Sequence, residues 1–157
     1  MNSTETRKGR YHFKKTWEAP KEIREFIAAK FEGEVLNLCC GNWPCGNVNV
    51  DLVAKGSNVN GNAIIEADIL NPAFNLNKRF DTVFSDPPWN WPYHFRAALN
   101  RTACRHLKEG GIFLLNAPWL PKSYMFNIAE IWVMYSNSGL PRNATLLSMA
   151  LKKEVKP

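Results

Sequence analysis

Five short apolar runs constrain the fold of this chain more than any other feature. EVLNLCCG (34–41) is almost wholly apolar and stops at a glycine, as a strand buried on both faces does. NVNVDL (47–52) alternates, AIIEADI (63–69) reads as a third strand and FDTVFSD (80–86) as a fourth; GIFLLNAPWL (111–120) makes a fifth. Helical stretches separate them. APKEIREFIAAKF (19–31) places Ile23, Phe26, Ile27 and Phe31 on one helical face, with Pro20 near its start. HFRAALNRTACRHLK (94–108) reads as a basic helix stopped by Gly110-Gly111. YMFNIAE reads as a short helical turn. IAEIWVMYSNS and ATLLSMALKK, joined by GLPRN, read as two strands of an antiparallel hairpin. Strands alternating with crossovers predict an α/β domain: a mostly parallel twisted sheet with helices on both faces and a C-terminal antiparallel hairpin.

At 157 residues the chain is long enough for one domain with a real core, and its four cysteines are too few for a disulfide scaffold. No window holds the roughly 18 apolar residues of a membrane span. The first fifteen residues, MNSTETRKGRYHFKK, form a polar, basic arm, expected to be flexible, without the apolar stretch of a secretory signal. These features predict an intracellular, cytoplasmic protein (in the host cytoplasm if virus-encoded). Residues 16–157 are expected to form the single domain. Charge is uneven. Residues 1–30 hold eight Lys/Arg against four acids, 31–90 three against seven, and 91–157 nine against three. Basic flanks around an acidic centre suit a polyanionic partner and a cationic small molecule between them, although a merely soluble basic protein fits charge alone equally well.

In open α/β sheets ligands bind at the carboxyl ends of the strands. Here those ends are Asn37-Leu38-Cys39-Cys40-Gly41-Asn42, then Asp51, Asp68, and Asp86-Pro87-Pro88-Trp89. Any one aspartate is ordinary turn chemistry, but three at one edge point to a ligand, because Asp is depleted in strands.

These residues resemble the motifs of the Rossmann-like S-adenosylmethionine-dependent methyltransferases, and among them the amino-methyltransferases that modify adenine in DNA. The resemblance runs from Thr16 to Lys153. LNLCCGN is similar to the strand and loop around the methionine moiety, which implies cofactor contacts from Asn37, Cys39, Gly41 and Asn42. Asp51 of NVNVDL would take the ribose hydroxyls, Asp68 of EADI the adenine amino group, and Ile69 would pack on the adenine ring. TWEAPKEI resembles the segment closing over the methionine end, which implies Trp17 and Pro20. SDPPW matches the catalytic motif, implying Asp86, Pro87, Pro88 and Trp89. The chain departs from the family in having Cys39 at a usual glycine. Only ten residues separate Gly41 from Asp51, against roughly 20 when a full helix intervenes. The first crossover is therefore expected to be a loop, NWPCGN.

Amino-group chemistry gives SDPPW a purpose. An exocyclic amino nitrogen is a poor nucleophile because its lone pair is delocalised into the ring. Accepting both amino hydrogens, one at Asp86 and one at a carbonyl such as that of Pro87, frees the lone pair; proline holds φ near about −65° and keeps that carbonyl in place. Trp89 would stack on a base flipped out of the duplex or already single-stranded.

The resemblance implies methyl transfer to adenine in DNA. The alternatives are the same reaction on RNA, methylation of a protein glutamine amide (whose enzymes usually carry Asn before the prolines), and a non-catalytic nucleic-acid-binding subunit. With no segment for target recognition, either specificity is low, or a homodimer or second subunit supplies it. Cytosine methylation usually has Ser at the Asp86 position. The spacing C-C-x4-C of Cys39, Cys40 and Cys45, even with His94 or His106, lacks the pairing of a zinc site, so no metal is expected. Trp91, Tyr93 and Phe95 read either as an extension of the base platform or as packing. Arg96, Arg101, Arg105 and Lys108 read as a phosphate track or a solvated face. Trp119 and Pro121 are candidates for the border of the target pocket. Arg7, Lys8, Arg10, Lys14 and Lys15 make a nucleic-acid arm or a solubilising tail.

Overall fold

The computed structural model describes residues 19–53, 63–135 and 144–154. Helix α1 (Lys21–Ala28) precedes strands β1 (Val35–Leu38), β2 (Val48–Asp51), β3 (Ile64–Glu66) and β4 (Phe80–Ser85). Helix α2 (Tyr93–His106) leads into β5 (Leu107–Asn116), and β6 (Phe126–Tyr135) and β7 (Ala144–Lys152) close the chain. The seven strands form one sheet in the order β3-β2-β1-β4-β5-β7-β6. Strands β3 to β5 are parallel; β7 runs antiparallel between β5 and β6.

The alternation of side chains along the central strands builds two cores. Val83, Phe113 and Leu115 face Leu99 and Ala103 of α2. Phe84, Ile112 and Leu114 point the other way, against Ile23 and Ile27 of α1. Helices thus cover both faces, as the sequence pattern requires. Full burial of an Ile such as Ile27 contributes about 1.5–3 kcal/mol. Phe26, read as part of the same stripe, sits at its margin and packs edge-on against Trp132 at 5.6 Å.

Element ends differ from the sequence reading for local reasons. β3 stops at Glu66 because Asp68 accepts the Leu70 amide at 2.9 Å, turning the chain. α2 ends at His106 rather than at the glycines. The buried His106 ring binds the Thr102 carbonyl with Nδ1 (2.8 Å) and accepts the Leu76 amide with Nε2 (3.0 Å). β5 therefore begins at Leu107 and passes through an irregularity opposite Phe80–Thr82, where Gly110 adopts φ 70°. The segment read as a helical turn is a tight turn at 123–125 followed directly by β6.

The β1–β2 connection contains no helix, as its length demands. Side-chain amides hold it instead. Asn37 Nδ2 donates to the Trp43 carbonyl (2.8 Å), Asn47 Oδ1 accepts the Val35 amide (2.8 Å), and Asn49 exchanges two bonds with Gly46. A Cβ on Gly46 would lie 2.8–3.0 Å from three backbone atoms, so the loop closes only with glycine there. Trp43 fills the space over the sheet that a helix would otherwise take, meeting Phe84 edge-on at 5.5 Å.

Candidate active site

Strand register places the candidate residues in one row. Val50, Leu38, Ser85 and Leu115 lie side by side across β2, β1, β4 and β5. The residues one step further, Asp51, Cys39, Asp86 and Asn116, therefore stand together at the carboxyl edge, where parallel sheets bind ligands. A pocket of about 90 Å³ opens beside this row, lined by Ala19, Asn37, Cys39, Cys40, Gly41, Asn42, Trp43, Phe84 and Asp86. The glycine loop and the first residue of DPPW thus share one cavity.

The loop takes a shape suited to close approach. Cys39 and Gly41 have φ of 58° and 50°, and a Cβ on Gly41 would meet nothing within 4 Å. Glycine adopts such angles freely, whereas Cys39 carries about 1–2 kcal/mol of left-handed strain at the position where a glycine is usual. Asp51 ties loop to strand: its carboxylate accepts the Gly41 amide at 2.8 Å and the Val53 amide at 3.2 Å. Burial, and then the Asp51 charge, push the Cys39 thiol far above its ordinary range; the same causes take Cys40 to about 12. Burial takes Cys45 to about 12. Neutral thiols of this kind pack rather than attack. Among the described residues no cluster of three or more His, Cys, Asp and Glu side chains is arranged to hold a metal ion.

Asp86 is half-buried at the pocket. Burial raises its pKa to about 6. A carboxyl poised there changes charge near neutrality, which is the usual signature of a functional group. Pro87 is buried and Pro88 exposed; the Pro88 carbonyl accepts the Trp91 amide at 3.2 Å, closing a turn. Trp89 is 36% exposed, and its indole N–H donates to the Asn116 carbonyl at 3.2 Å, so the ring is fixed across the ends of β4 and β5.

The remaining candidates fall further out. Asp68 is exposed beyond β3, whereas the Ile69 side chain is buried in the α2-side core and its carbonyl accepts from Thr102 Oγ1 at 2.8 Å. Pro20 caps α1, next to the pocket residue Ala19. Trp17 and the basic arm lie outside the described residues.

Trp91 is half-buried against the core and meets Phe95 edge-on, so it is packing; Tyr93 is 69% exposed beneath Lys122, whose Nζ is 3.5 Å from the ring centre. Arg96 lies 4.5 Å over Trp119. Arg105 and Lys108 do not form a phosphate track. Arg105 binds the Pro72 and Phe74 carbonyls, and Lys108 is on β5, paired with Asp81 at 2.7 Å. His106 is a core histidine, its pKa lowered chiefly by burial.

Sequence reasoning missed Asn116, a polar residue ending the apolar run IFLLN as Asp86 ends FDTVFS. It also missed Trp43 and Phe84 as pocket walls.

No protein-family model matches the chain, and no curated protein matches its sequence. Solved structures do match in shape. The glycopeptide N-methyltransferase MtfA, complexed with S-adenosyl-L-homocysteine, superimposes with TM-score 0.61 at 17% identity, over 83% of this chain and 88% of that one. The N-methyltransferase NodS from Bradyrhizobium japonicum WM9, in complex with the same ligand, gives 0.61 at 12%, over 85% of each chain. A TehB-like SAM-dependent methyltransferase from Corynebacterium glutamicum gives 0.59 at 13%, over 84% of this chain and 87% of that one. At these identities the likeness is one of fold: the chain has the Rossmann-like methyltransferase fold, C-terminal antiparallel hairpin included.

Proposed function

We propose that the chain transfers a methyl group from S-adenosylmethionine to the exocyclic amino group of adenine in DNA. The observation carrying this reading is the shared pocket: the loop Cys39–Asn42 and the half-buried Asp86 line one cavity at the carboxyl edge of the sheet. The residues present suit the cofactor. Asn37 Oδ1 is buried beside the pocket without a partner, an acceptor matched to the ammonium of a methionine moiety. Open space above Gly41 lets a ligand lie on the loop. When bound, the cofactor supplies an electrophilic methyl on a positive sulfur, whose S–C bond breaks as the new N–C bond forms. Asp51, one strand over, would accept ribose hydroxyls with the lone pairs its two amide partners leave free, and Asp68, exposed beyond β3, would take the adenine amino group.

The chain's own residues prepare the nucleophile. As a carboxylate, Asp86 accepts one amino hydrogen, localises the nitrogen lone pair and offsets the positive charge growing there. The hydrogen-bonded Trp89 ring offers a fixed surface for the base. The aromatic-backed cations Arg96 and Lys122, over Trp119 and Tyr93, suit phosphate contacts.

The test is incubation of purified protein with methyl-labelled S-adenosylmethionine and DNA, RNA or protein, followed by hydrolysis and identification of the labelled product. N6-methyladenine from DNA is expected. Label confined to RNA or protein, or absent throughout, would overturn the reading.

A further inference from the structure

Tyr93 opens α2, just past the DPPW turn, and it is the most exposed large hydrophobic side chain among the described residues. A ring so exposed adds little to the fold; Trp91, two residues earlier, takes the packing role against the core. Lys122 covers one side of the Tyr93 ring, its Nζ 3.5 Å from the ring centre. One turn along α2, Arg96 lies 4.5 Å over Trp119 and donates with Nε to the Trp91 carbonyl at 2.8 Å. Asn100, a further turn along, accepts the Lys122 amide at 2.9 Å. At spacings of three and four, Tyr93, Arg96 and Asn100 share one face of α2. Their contacts join the first half of the helix to the β5–β6 connection. The result is a shelf of two aromatic rings, each paired with a cation. Trp89 adjoins it, bonded to Asn116 at the head of the same connection. The charge of the shelf is unopposed. From Pro87 to Ala129 the one acid is Glu109, and Lys152 and Arg79 hold it at 2.9 and 3.5 Å.

We propose that this shelf holds the strand beside the target base and that the substrate is single-stranded DNA. This deepens the methyl-transfer reading and rests on it. Trp89 takes the target base, the open face of Tyr93 stacks the neighbouring base, and Arg96 and Lys122 meet the phosphates of the same strand. In a duplex the neighbouring base stays paired within the stack, out of reach of a ring beside the target pocket. A single strand leaves that base free to turn onto Tyr93. It also spares the unpairing and unstacking that extrusion from a duplex costs. The connections that follow β4 and β5 (86–92 and 117–125) are pinned through Trp89 and Asn100, so neither is free to wedge a duplex open.

The experiment uses the purified full chain and two readouts. Binding of a fluorescent oligothymidine, which carries no adenine, is followed by anisotropy. Methylation from labelled S-adenosylmethionine is measured on one adenine-containing sequence, offered as a single strand, as a perfect duplex and as a duplex with the adenine in an unpaired bubble. The single strand and the bubble are expected to react at least about tenfold faster than the duplex, which must first be opened. Tyr93→Ala is expected to weaken oligothymidine binding roughly tenfold, the scale for losing one stacked base, with cofactor affinity unchanged. Tyr93→Phe is expected to restore it. Arg96→Gln combined with Lys122→Gln is expected to flatten the salt dependence of binding. A duplex methylated as fast as the single strand, or the same sequence methylated faster as single-stranded RNA, overturns the proposal. Wild-type oligothymidine affinity in Tyr93→Ala overturns it as well. Tyr93-dependent binding without methylation of any DNA overturns the functional reading, and the substrate assignment with it, while the shelf itself stands.

Discussion

The two connections that flank the site are built in opposite ways. Between β4 and β5 the chain spends a full fourteen-residue helix, α2, whose Leu99 and Ala103 are completely buried. Between β1 and β2 it spends nine residues and no helix, and asparagine amides hold the turn. The side proposed to meet the target therefore rests on apolar packing. The cofactor side rests on a few directional bonds and one glycine, where a single change has no neighbour to absorb it. A chain this short keeps the fold by compressing the connection that hydrogen bonds can replace.

That contrast breaks most readily at Gly46. Gly46→Ala forces a methyl against three backbone atoms, and about 3 kcal/mol of stability should be lost, measured by denaturant unfolding. A loss well under 1 kcal/mol would show that the loop yields and is not held as described. Next in size, Asp51→Ala removes the carboxylate that takes the Gly41 amide and the proposed ribose contact. Cofactor binding by calorimetry should weaken by about 1.5–3 kcal/mol, the range of charge-assisted bonds. Unchanged affinity would sever Asp51 from the cofactor. On the target side effects should be small: Tyr93→Ala removes an exposed cation–π pair with Lys122 and should cost at most about 0.5–1 kcal/mol in stability. A larger loss would mean that the aromatic turn carries the fold rather than the substrate.

The sequence made the sheet legible because burial on both faces leaves continuous apolar runs, and because each run ended at Gly, Asn or Asp. It also foretold the loop crossover, since ten residues cannot hold a helix and two turns. Element ends were less visible. The stop of α2 depends on His106 reaching Leu76, a contact 30 residues away in sequence, and no local pattern announces it. Arg105 and Lys108 looked like one basic face, yet their partners at Pro72, Phe74 and Asp81 are equally remote. Asn116 went unread because a lone strand-end asparagine is ordinary turn chemistry until register sets it beside Asp86.

Asp86 itself carries the central claim. Burial raises its pKa to about 6, against an ordinary carboxylate value, so the folded protein holds the proton more tightly than the unfolded chain. Its favourable contribution to stability is full at low pH and is lost as pH rises through about 6. The ionised form that the proposed chemistry needs is thus the one that costs stability, and Asp86→Asn should be the more stable protein at neutral pH. The most direct measurement is the pH dependence of single-turnover methylation in wild type and Asp86→Asn, beside a cofactor titration of each. The wild-type rate should rise through pH about 6 to a plateau. The variant should be at least about 10²-fold slower, flat across that range, and unchanged in cofactor affinity. An Asp86→Asn protein that methylates at the wild-type rate would contradict the account and leave DPPW as a stiff turn.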